Sequence, residues 1–270
     1  MFRKKKNVDH DVTTVADINA VSEEVSTQEQ TAADKLDSSL KFKVVESYKV
    51  LRANIMFSIL KSGCKSFVVS SSLPGEGKST ITVNTAIALS QTDARVLLID
   101  TDLRRPKINR FLGLQNTPGL SNYLIGMNTI DEVLHKTQYP NLTVFCAGSR
   151  VPNPSELLAS TQMEMLLEQL KQKFDYIIID SAPLNVVSDT FPLIKKTDGV
   201  LMVVYQNRSD YRELDKTLKS IEMVNGKVLG FVMNGVVSKN KKTYYTSGRY
   251  GYGYGYGYGY GYTDKTSKKN

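Results

Sequence analysis

The segment Ser71–Thr80, with the sequence S-S-L-P-G-E-G-K-S-T, lies between an apolar run and a helical pattern. The run predicts a strand over residues 66–71, and the pattern predicts a helix over residues 78–90. Glycines let the backbone wrap around phosphates, and a helix N-terminus offers N–H donors and a positive dipole end. We therefore predict a phosphate-binding loop in which Lys78 reaches the β- and γ-phosphates and the Ser79 hydroxyl holds Mg²⁺. The strict pattern has glycine at position 72, where this chain has Ser72. The predicted ATP-binding residues here are Pro74, Gly75, Glu76, Gly77, Lys78, Ser79 and Thr80.

Short apolar runs alternate with helical patterns along the rest of the chain. A helix is predicted from about Val44, with Tyr48, Leu51, Ile55 and Ile59 on one face. Runs such as residues 176–179 are apolar throughout, as strands of a buried parallel sheet must be. The order predicts an α/β fold: a P-loop NTPase with a doubly wound, mostly parallel sheet, helices on both faces and a ligand at the carboxyl ends of the strands. Further strands are predicted over 96–100, 142–147, 176–180, 199–205 and 229–234, with helices over 155–173 and 210–224.

Acidic residues follow two of these predicted strands. Asp100 ends one strand, Asp102 comes two residues later, and Asp180 ends another. The carboxyl ends of parallel strands share one edge of the sheet with the phosphate-binding loop. Mg²⁺ bound to substrate phosphates takes one or two carboxylates, so this pattern indicates a nucleotide–magnesium site. Any single one of these carboxylates could instead be a helix N-cap or a loop residue.

Nine of the fifteen tyrosines lie in residues 244–270, most of them alternating with glycine. Glycine at every second position leaves little to pack and is entropically unfavourable to order, so residues 238–270 are expected to be disordered. Their hydroxyls are then accessible to an active site. The alternative is an arm that stacks on nucleic acid. This segment holds six of the net eight positive charges, which weakens the case for a nucleic-acid-binding fold. The candidate acceptors are Tyr244, Tyr245, Tyr250, Tyr252, Tyr254, Tyr256, Tyr258, Tyr260 and Tyr262.

Composition divides the chain into three parts. Residues 1–40 are polar and predicted to be disordered, residues 41–237 form the predicted catalytic domain, and residues 238–270 form the tyrosine- and glycine-rich tail. The two cysteines have no metal or disulfide spacing, and no apolar stretch reaches the length needed to span a bilayer. We expect a soluble, cytoplasmic protein.

Three ordered motifs resemble those of the bacterial tyrosine kinases, in particular the cytoplasmic CpsD/CapB type of capsular and exopolysaccharide synthesis. The Walker A motif of that family is matched by Ser71–Ser79, its apolar-D-x-D-x-R motif by Asp100–Arg104, and its Walker B motif by Asp180–Pro183. The family also ends in a tyrosine cluster. The resemblance covers about residues 44–235 and the tail.

The resemblance implies a transferase that moves the γ-phosphoryl of ATP onto its own tyrosines. Asp100 would act as the base toward the tyrosine hydroxyl, Asp102 and Asp180 would bind Mg²⁺ with Ser79, and Lys78 would neutralise the transferred phosphoryl. Asn234 lies where related ATPases read adenine. The implied catalytic residues are Lys78, Asp100, Asp102 and Arg104.

The same resemblance implies partners. An E-x-x-R-x-x-R stripe used for oligomerisation corresponds to Glu46, Lys49 and Arg52, which allows a ring-like homo-oligomer, although lysine at position 49 puts its stability in doubt. The alternative is an ordinary charged face of an amphipathic helix. Soluble members need a membrane adaptor of the polysaccharide co-polymerase type, which recruits them to the inner face of the membrane. A tyrosine phosphatase reverses the modification. The expected role is regulation of polysaccharide polymerisation and export, with no nucleic acid partner.

Two other functions remain as alternatives. One is a ParA/MinD-like ATPase switch on the same fold, which carries a second lysine where this chain has Leu73. The other is a nucleic-acid-binding protein that acts through the tyrosine- and glycine-rich tail. That reading leaves Asp100, Asp102 and Asp180 without a role.

Overall fold

The computed structural model describes residues 32–236, with side chains from residue 42 onward. The tail predicted over residues 238–270, with its nine tyrosines from Tyr244 to Tyr262, lies outside the described residues. So do residues 1–31 of the predicted N-terminal segment. Within the described part of the chain, no helix is both long enough and apolar enough to cross a membrane.

One seven-stranded sheet runs through the described residues. In chain order its strands are β1 (Lys65–Ser71), β2 (Val96–Asp100), β3 (Leu134–Lys136), β4 (Leu142–Phe145), β5 (Tyr176–Asp180), β6 (Val200–Tyr205) and β7 (Val228–Asn234). They lie side by side as β3-β4-β2-β5-β1-β6-β7. Every neighbouring pair is parallel except β3 and β4. All residues of β2 and β5 are buried, as their apolar sequences predicted.

Helices cover both faces of this sheet. They are α1 (Ala32–Ser58), α2 (Lys78–Ser90), α3 (Ile108–Phe111), α4 (Leu120–Leu124), α5 (Ile130–Val133), α6 (Pro154–Ala159), α7 (Thr161–Lys171), α8 (Phe191–Ile194) and α9 (Tyr211–Met223). Apolar residues of α1, α2 and α3 share one core cluster, and those of α4 to α9 share the other. Successive β1 residues alternate between the clusters, since side chains along a strand point to opposite faces. The doubly wound α/β prediction is confirmed.

Two helices differ from their predicted bounds. The first begins at Ala32 instead of near Val44, because the preceding sequence is also rich in good helix formers. It therefore extends into the segment predicted to be disordered. The helix predicted over residues 155–173 is two helices, α6 and α7, separated at Ser160. The Ser160 backbone is extended, and its hydroxyl caps α7 by accepting the Met163 N–H.

The sheet topology brings three sequence segments to one edge. Strands β2 and β5 are neighbours, and Asp100 is the register partner of Asp180. Strand β1 pairs with the other side of β5 and leads at its carboxyl end into the segment before α2. The antiparallel edge strand β3 has only three residues and was not predicted, because so short a segment carries little periodic signal.

Candidate active site

The segment between β1 and α2 curls through two glycines with left-handed backbone angles. Gly75 has φ of 79° and Gly77 has φ of 90°, a region that favours glycine. Gly77 is the N-cap of α2, so Lys78 begins the helix. A Cβ atom on Gly77 would lie 2.0 Å from Asn234 Nδ2. The backbone angle favours glycine at position 77, and a larger residue would also displace the Asn234 side-chain amide.

Side chains fasten this loop to the rest of the domain. Ser72, which stands where the strict pattern has glycine, is buried, and its Oγ accepts a hydrogen bond of 2.9 Å from Thr217 Oγ1 in α9. Glu76 is also buried. One carboxylate oxygen accepts the Leu73 N–H at 2.9 Å, and the other accepts the Ser209 hydroxyl. The Ser72 departure thus gives the loop a further anchor.

Two more groups bond to the loop carbonyls. Arg208 Nη1 donates to Gly75 O at 3.0 Å, and Asn234 Nδ2 donates to Glu76 O at 3.0 Å. The other amide atom of Asn234, Oδ1, accepts the Gly235 N–H. Asn234 therefore lies against the phosphate-binding loop, and its reading of adenine stays a prediction. Arg208 and Ser209 were missed, although the turn after β6 shares the site's edge of the sheet.

Lys78 and Asp102 form an ion pair beside the loop. Lys78 Nζ lies 3.3 Å from Asp102 Oδ2, and their side chains are 10% and 7% exposed. The other Asp102 oxygen accepts the Arg105 N–H at 3.0 Å. Among the other predicted loop residues, Pro74 lines the adjoining cleft, Ser79 is buried, and the carbonyl of Thr80 accepts a hydrogen bond from Asn84 within α2.

Asp100 is 0% exposed and holds the chain that follows it. Its Oδ1 accepts the Asp102 N–H, and its Oδ2 accepts the N–H groups of Lys107 and Ile108, each at 3.1 Å. Burial raises the pKa of Asp100, and the nearby carboxylate of Asp180 raises it further. The structure thus shows Asp100 as the anchor of residues 101–107, a role that sequence patterns did not reveal.

Asp180 has one carboxylate oxygen in use and one without a hydrogen bond. Thr82 Oγ1 donates to Oδ1 at 2.9 Å, whereas the buried Oδ2 has no partner among the described residues. Burial raises the pKa of Asp180, and interactions with Lys78, Ser79 and Thr82 offset this only partly. Such an orphaned oxygen beside a serine hydroxyl fits Mg²⁺, which binds through one or two carboxylates and substrate phosphates. No group of three or more His, Cys, Asp or Glu in residues 42–236 could hold a metal alone.

Arg104 is held by a buried carboxylate from another part of the chain. Its Nε and Nη2 donate to Asp189 at 2.6 and 3.2 Å, and the Ser155 hydroxyl donates to the same carboxylate. Burial alone would raise the pKa of Asp189, but the hydrogen bonds from Arg104 and Ser155 outweigh it and the pKa is lowered. Neither Asp189 nor Ser155 was predicted, since neither lies in a recognisable motif.

A cleft of about 340 Å³ opens beside the loop. Its lining includes Gly75 and Lys78 from the loop region, Asp102 and the cations after it, and apolar residues that follow Asp180. The cations that line it are Lys78, Arg104, Arg105 and Lys107.

The predicted oligomerisation stripe lies on α1. Glu46 and Lys49 pair with each other at 2.8 Å and are both about half exposed. Arg52 Nη1 donates to Ala88 O in α2 at 2.8 Å. Arg52 thus binds its own domain, whereas Glu46 and Lys49 remain accessible on the surface.

Known proteins are similar to this chain in sequence and in fold. The AAA domain family matches residues 64–229, more than half of the chain. The chain is 33% identical over 206 residues to the putative tyrosine-protein kinase CapB of Staphylococcus aureus, a match that covers 76% of this chain and 90% of CapB. It is 36% identical over 192 residues to the tyrosine-protein kinase ptk of Acinetobacter johnsonii, which covers 71% of this chain but only 26% of ptk.

Solved structures have a similar fold. The kinase domain of Escherichia coli tyrosine kinase ETK superimposes with a TM-score of 0.70 at 29% identity, covering 76% of this chain and 80% of that one. The chimerical protein CapA2B2 gives a TM-score of 0.67 at 35% identity, covering 70% and 83%. The predicted P-loop NTPase fold, with its nucleotide-binding loop, is confirmed. The chain belongs to the bacterial tyrosine kinases of the capsule type.

Proposed function

We propose that this chain is an ATP-dependent protein-tyrosine autokinase that phosphorylates its own C-terminal tyrosines. The observation that carries the proposal is the meeting of Lys78, Asp100, Asp102 and Asp180 at the edge of the sheet where the phosphate-binding loop lies. Phosphoryl transfer depends mainly on positioning and on neutralising charge, which such a set supplies. The proposed kinase domain is residues 41–237.

In the proposed step, a tyrosine oxygen attacks the γ-phosphorus while the bond from that phosphorus to the β–γ bridging oxygen breaks. ADP leaves, and the phenolic proton passes to the Asp100 carboxylate. Lys78 leaves its ion pair with Asp102, binds the phosphates instead, and neutralises their developing charge. Because Asp100 is fully buried and accepts three N–H groups, this role requires Oδ1 to release the Asp102 N–H when the acceptor enters, while Oδ2 keeps those of Lys107 and Ile108.

Mg²⁺ would bind through Ser79 and Asp180, with Asp102 joining once Lys78 has moved to the phosphates. The ion supplies charge neutralisation on the phosphates. Asn234 is the proposed contact to adenine, because it lies against the loop at the end of β7.

The proposed acceptors are Tyr244, Tyr245, Tyr250, Tyr252, Tyr254, Tyr256, Tyr258, Tyr260 and Tyr262. Intact mass after incubation with Mg-ATP tests this. We expect steps of about 80 Da, one phosphate each, and none in a variant with these nine tyrosines changed to phenylalanine. A ParA/MinD-like switch would release inorganic phosphate without gaining mass. A nucleic-acid-binding arm would do neither, and would bind single strands instead.

The proposed partners are a membrane adaptor of the polysaccharide co-polymerase type and a tyrosine phosphatase. An adaptor would hold the kinase at the inner face of the membrane, where it regulates capsular polymerisation and export. A groove of about 420 Å³ between α1 and β7 suits an adaptor peptide. Its lining includes the exposed apolar side chains of Phe231 and Met233, and it also includes Asn234. A homo-oligomer through Glu46, Lys49 and Arg52 is proposed as well.

A further inference from the structure

The active-site cleft has a cationic rim. Arg104, Arg105 and Lys107 are all exposed, and all three lie in the short segment that Asp100 ties down through backbone N–H groups. The backbone that carries these side chains is therefore held in place by the buried Asp100 carboxylate. The three acidic residues of the motifs are buried, so they contribute little to the surface that an approaching chain meets first.

Two of these cations have no counter-ion among the side chains of residues 42–236. Asp189 balances Arg104, but no acidic side chain of residues 42–236 lies within ion-pair distance of Arg105 or Lys107. Both line the cleft beside Lys78. A fixed pair of unbalanced cations favours an anion, and arginine with lysine suits a phosphate group.

An unphosphorylated acceptor segment offers no such anion. Residues 250–262 contain only tyrosine and glycine, and the charged residues among 238–249 and 263–270 are basic except Asp264. Each phosphotyrosine adds about −1.5 to −2 charges. In an extended chain, tyrosines two positions apart lie about 7 Å from each other and on the same side. If one tyrosine of such an extended segment entered the cleft, a phosphate on a neighbouring tyrosine would come close to the rim.

We propose that Arg105 and Lys107 form a phosphotyrosine-binding site that recruits acceptor segments already carrying a phosphate. The inference rests on the proposed tail phosphorylation and names the preferred substrate of the same cleft. The first transfer is slow, and later transfers to the same tail are faster because the earlier phosphate binds the rim. Phosphorylation then advances along a tail once it has begun.

The test uses the full chain with Mg-ADP and labelled peptides of residues 250–262, either unphosphorylated or carrying one phosphate on Tyr256. By fluorescence anisotropy at low ionic strength, we expect the phosphorylated peptide to bind about tenfold more tightly. The preference should shrink at high salt, because exposed charges are screened. In Arg105→Gln/Lys107→Gln the two peptides should bind within about twofold of each other.

Two further variants sharpen the test. Lys136→Gln/Lys173→Gln removes two exposed lysines away from the cleft and should keep the preference. Arg105→Lys/Lys107→Arg keeps both charges and should keep most of the preference for the phosphorylated peptide. Equal affinities in the wild-type chain would overturn the proposal. So would a preference that survives in Arg105→Gln/Lys107→Gln, or one that disappears equally in the lysine control. If the KM for ATP of Arg105→Gln/Lys107→Gln rose as much as its affinity for the phosphorylated peptide fell, the two cations would bind ATP instead. That result would also overturn the proposal.

Because ADP replaces ATP, this binding test does not depend on transfer. A phosphate preference without any tail phosphorylation would support the site and refute the proposed autokinase. With ATP, the site predicts that partly reacted wild-type samples contain chains with none or several phosphates and few with one. A smooth distribution centred on the mean would contradict the inference while leaving tail phosphorylation established.

Discussion

Lys78 Nζ lies 3.3 Å from Asp102 Oδ2, and both side chains are nearly buried. In this structure the lysine of the phosphate-binding loop is thus balanced by a carboxylate of its own chain. In the proposed mechanism, phosphates that bind in the loop would replace that carboxylate as the partner of the lysine. Asp102 would then be free to bind Mg²⁺, so one exchange would serve both proposed roles.

Lys78→Met should abolish tail phosphorylation, because it removes the charge proposed to neutralise the transferred phosphoryl group. It also leaves Asp102 buried without a counter-charge, so we expect the free energy of unfolding to fall by about 1–3 kcal/mol. Intact mass and urea unfolding measure the two effects. Lys61→Met is the matched control, because it removes an ion pair with Asp198 outside the site. Wild-type levels of tail phosphotyrosine in Lys78→Met would refute the kinase proposal.

Asp100→Asn replaces one carboxylate oxygen with an amide NH₂ that faces a backbone N–H donor. We expect loss of phosphoryl transfer, a fall of about 1–3 kcal/mol in the free energy of unfolding, and nearly unchanged affinity for Mg-ATP. Calorimetric titration with Mg-ATP checks the last point. Asp175→Asn, at an exposed carboxylate paired with Arg95, serves as the control. If Asp100→Asn lost its affinity for Mg-ATP, Asp100 would belong to the metal site.

Asp189→Asn removes the charge that holds Arg104 beside the cleft. We expect turnover with a tail peptide to fall about tenfold, as the loss of one charge-assisted pair suggests, with little change in the KM for ATP. Steady-state kinetics with each substrate varied in turn separates these effects. The matched change Asp198→Asn, in the ion pair with Lys61, should leave both parameters near wild type. An equal loss in both variants would show that Asp189 acts only on stability.

Met233→Asp places a charge in the groove between α1 and β7. We expect the purified chain to be a poor kinase alone and to be activated by the cytoplasmic peptide of an adaptor, and this change should remove the activation. Met223→Asp is the control, because Met223 is 84% exposed on α9, against 60% for Met233. Phosphotyrosine yield with and without peptide measures the effect. Full activity of the wild-type chain without peptide would contradict the dependence on an adaptor.

Glu46→Arg should dissolve a homo-oligomer built on α1, because it replaces the acidic member of the stripe with a third cation. Light scattering across protein concentrations reports the mass. Glu168→Arg is matched, since Glu168 forms a similar i,i+3 pair with Lys171 on α7. A wild-type chain that stays monomeric, or an equal change in both variants, would argue against this interface.

The fold could be predicted largely from local patterns. The strands that end in Asp100 and Asp180 are short apolar runs, a pattern that predicts strands of a parallel sheet. The structure shows both strands buried throughout. The break at Ser160 was missed because one extended residue barely disturbs a helical period. The start of α1 was missed because a polar sequence can also be helical.

The site was predicted where motifs are contiguous and missed where contacts span long sequence distances. Lys78 and Asp102 were identified, but their ion pair was not. Asp189, Ser209 and Thr217 reach the site from 85 to 145 positions away in the sequence. Their positions depend on how loops and α9 pack, which spacing in one sequence does not encode.

The hydrogen bonds that fasten Ser72, Gly75 and Glu76 also determine when the order of the loop is established. Conformational entropy of these residues is lost during folding, when Thr217, Arg208, Ser209 and Asn234 engage them. A nucleotide that arrives later meets a backbone already in shape, so little further ordering opposes its binding. The amide hydrogen of Leu73, which the Glu76 carboxylate accepts, should accordingly exchange slowly with solvent before any nucleotide is added. The affinity for nucleotide should then depend mainly on the contacts that form, because little disorder remains to be lost.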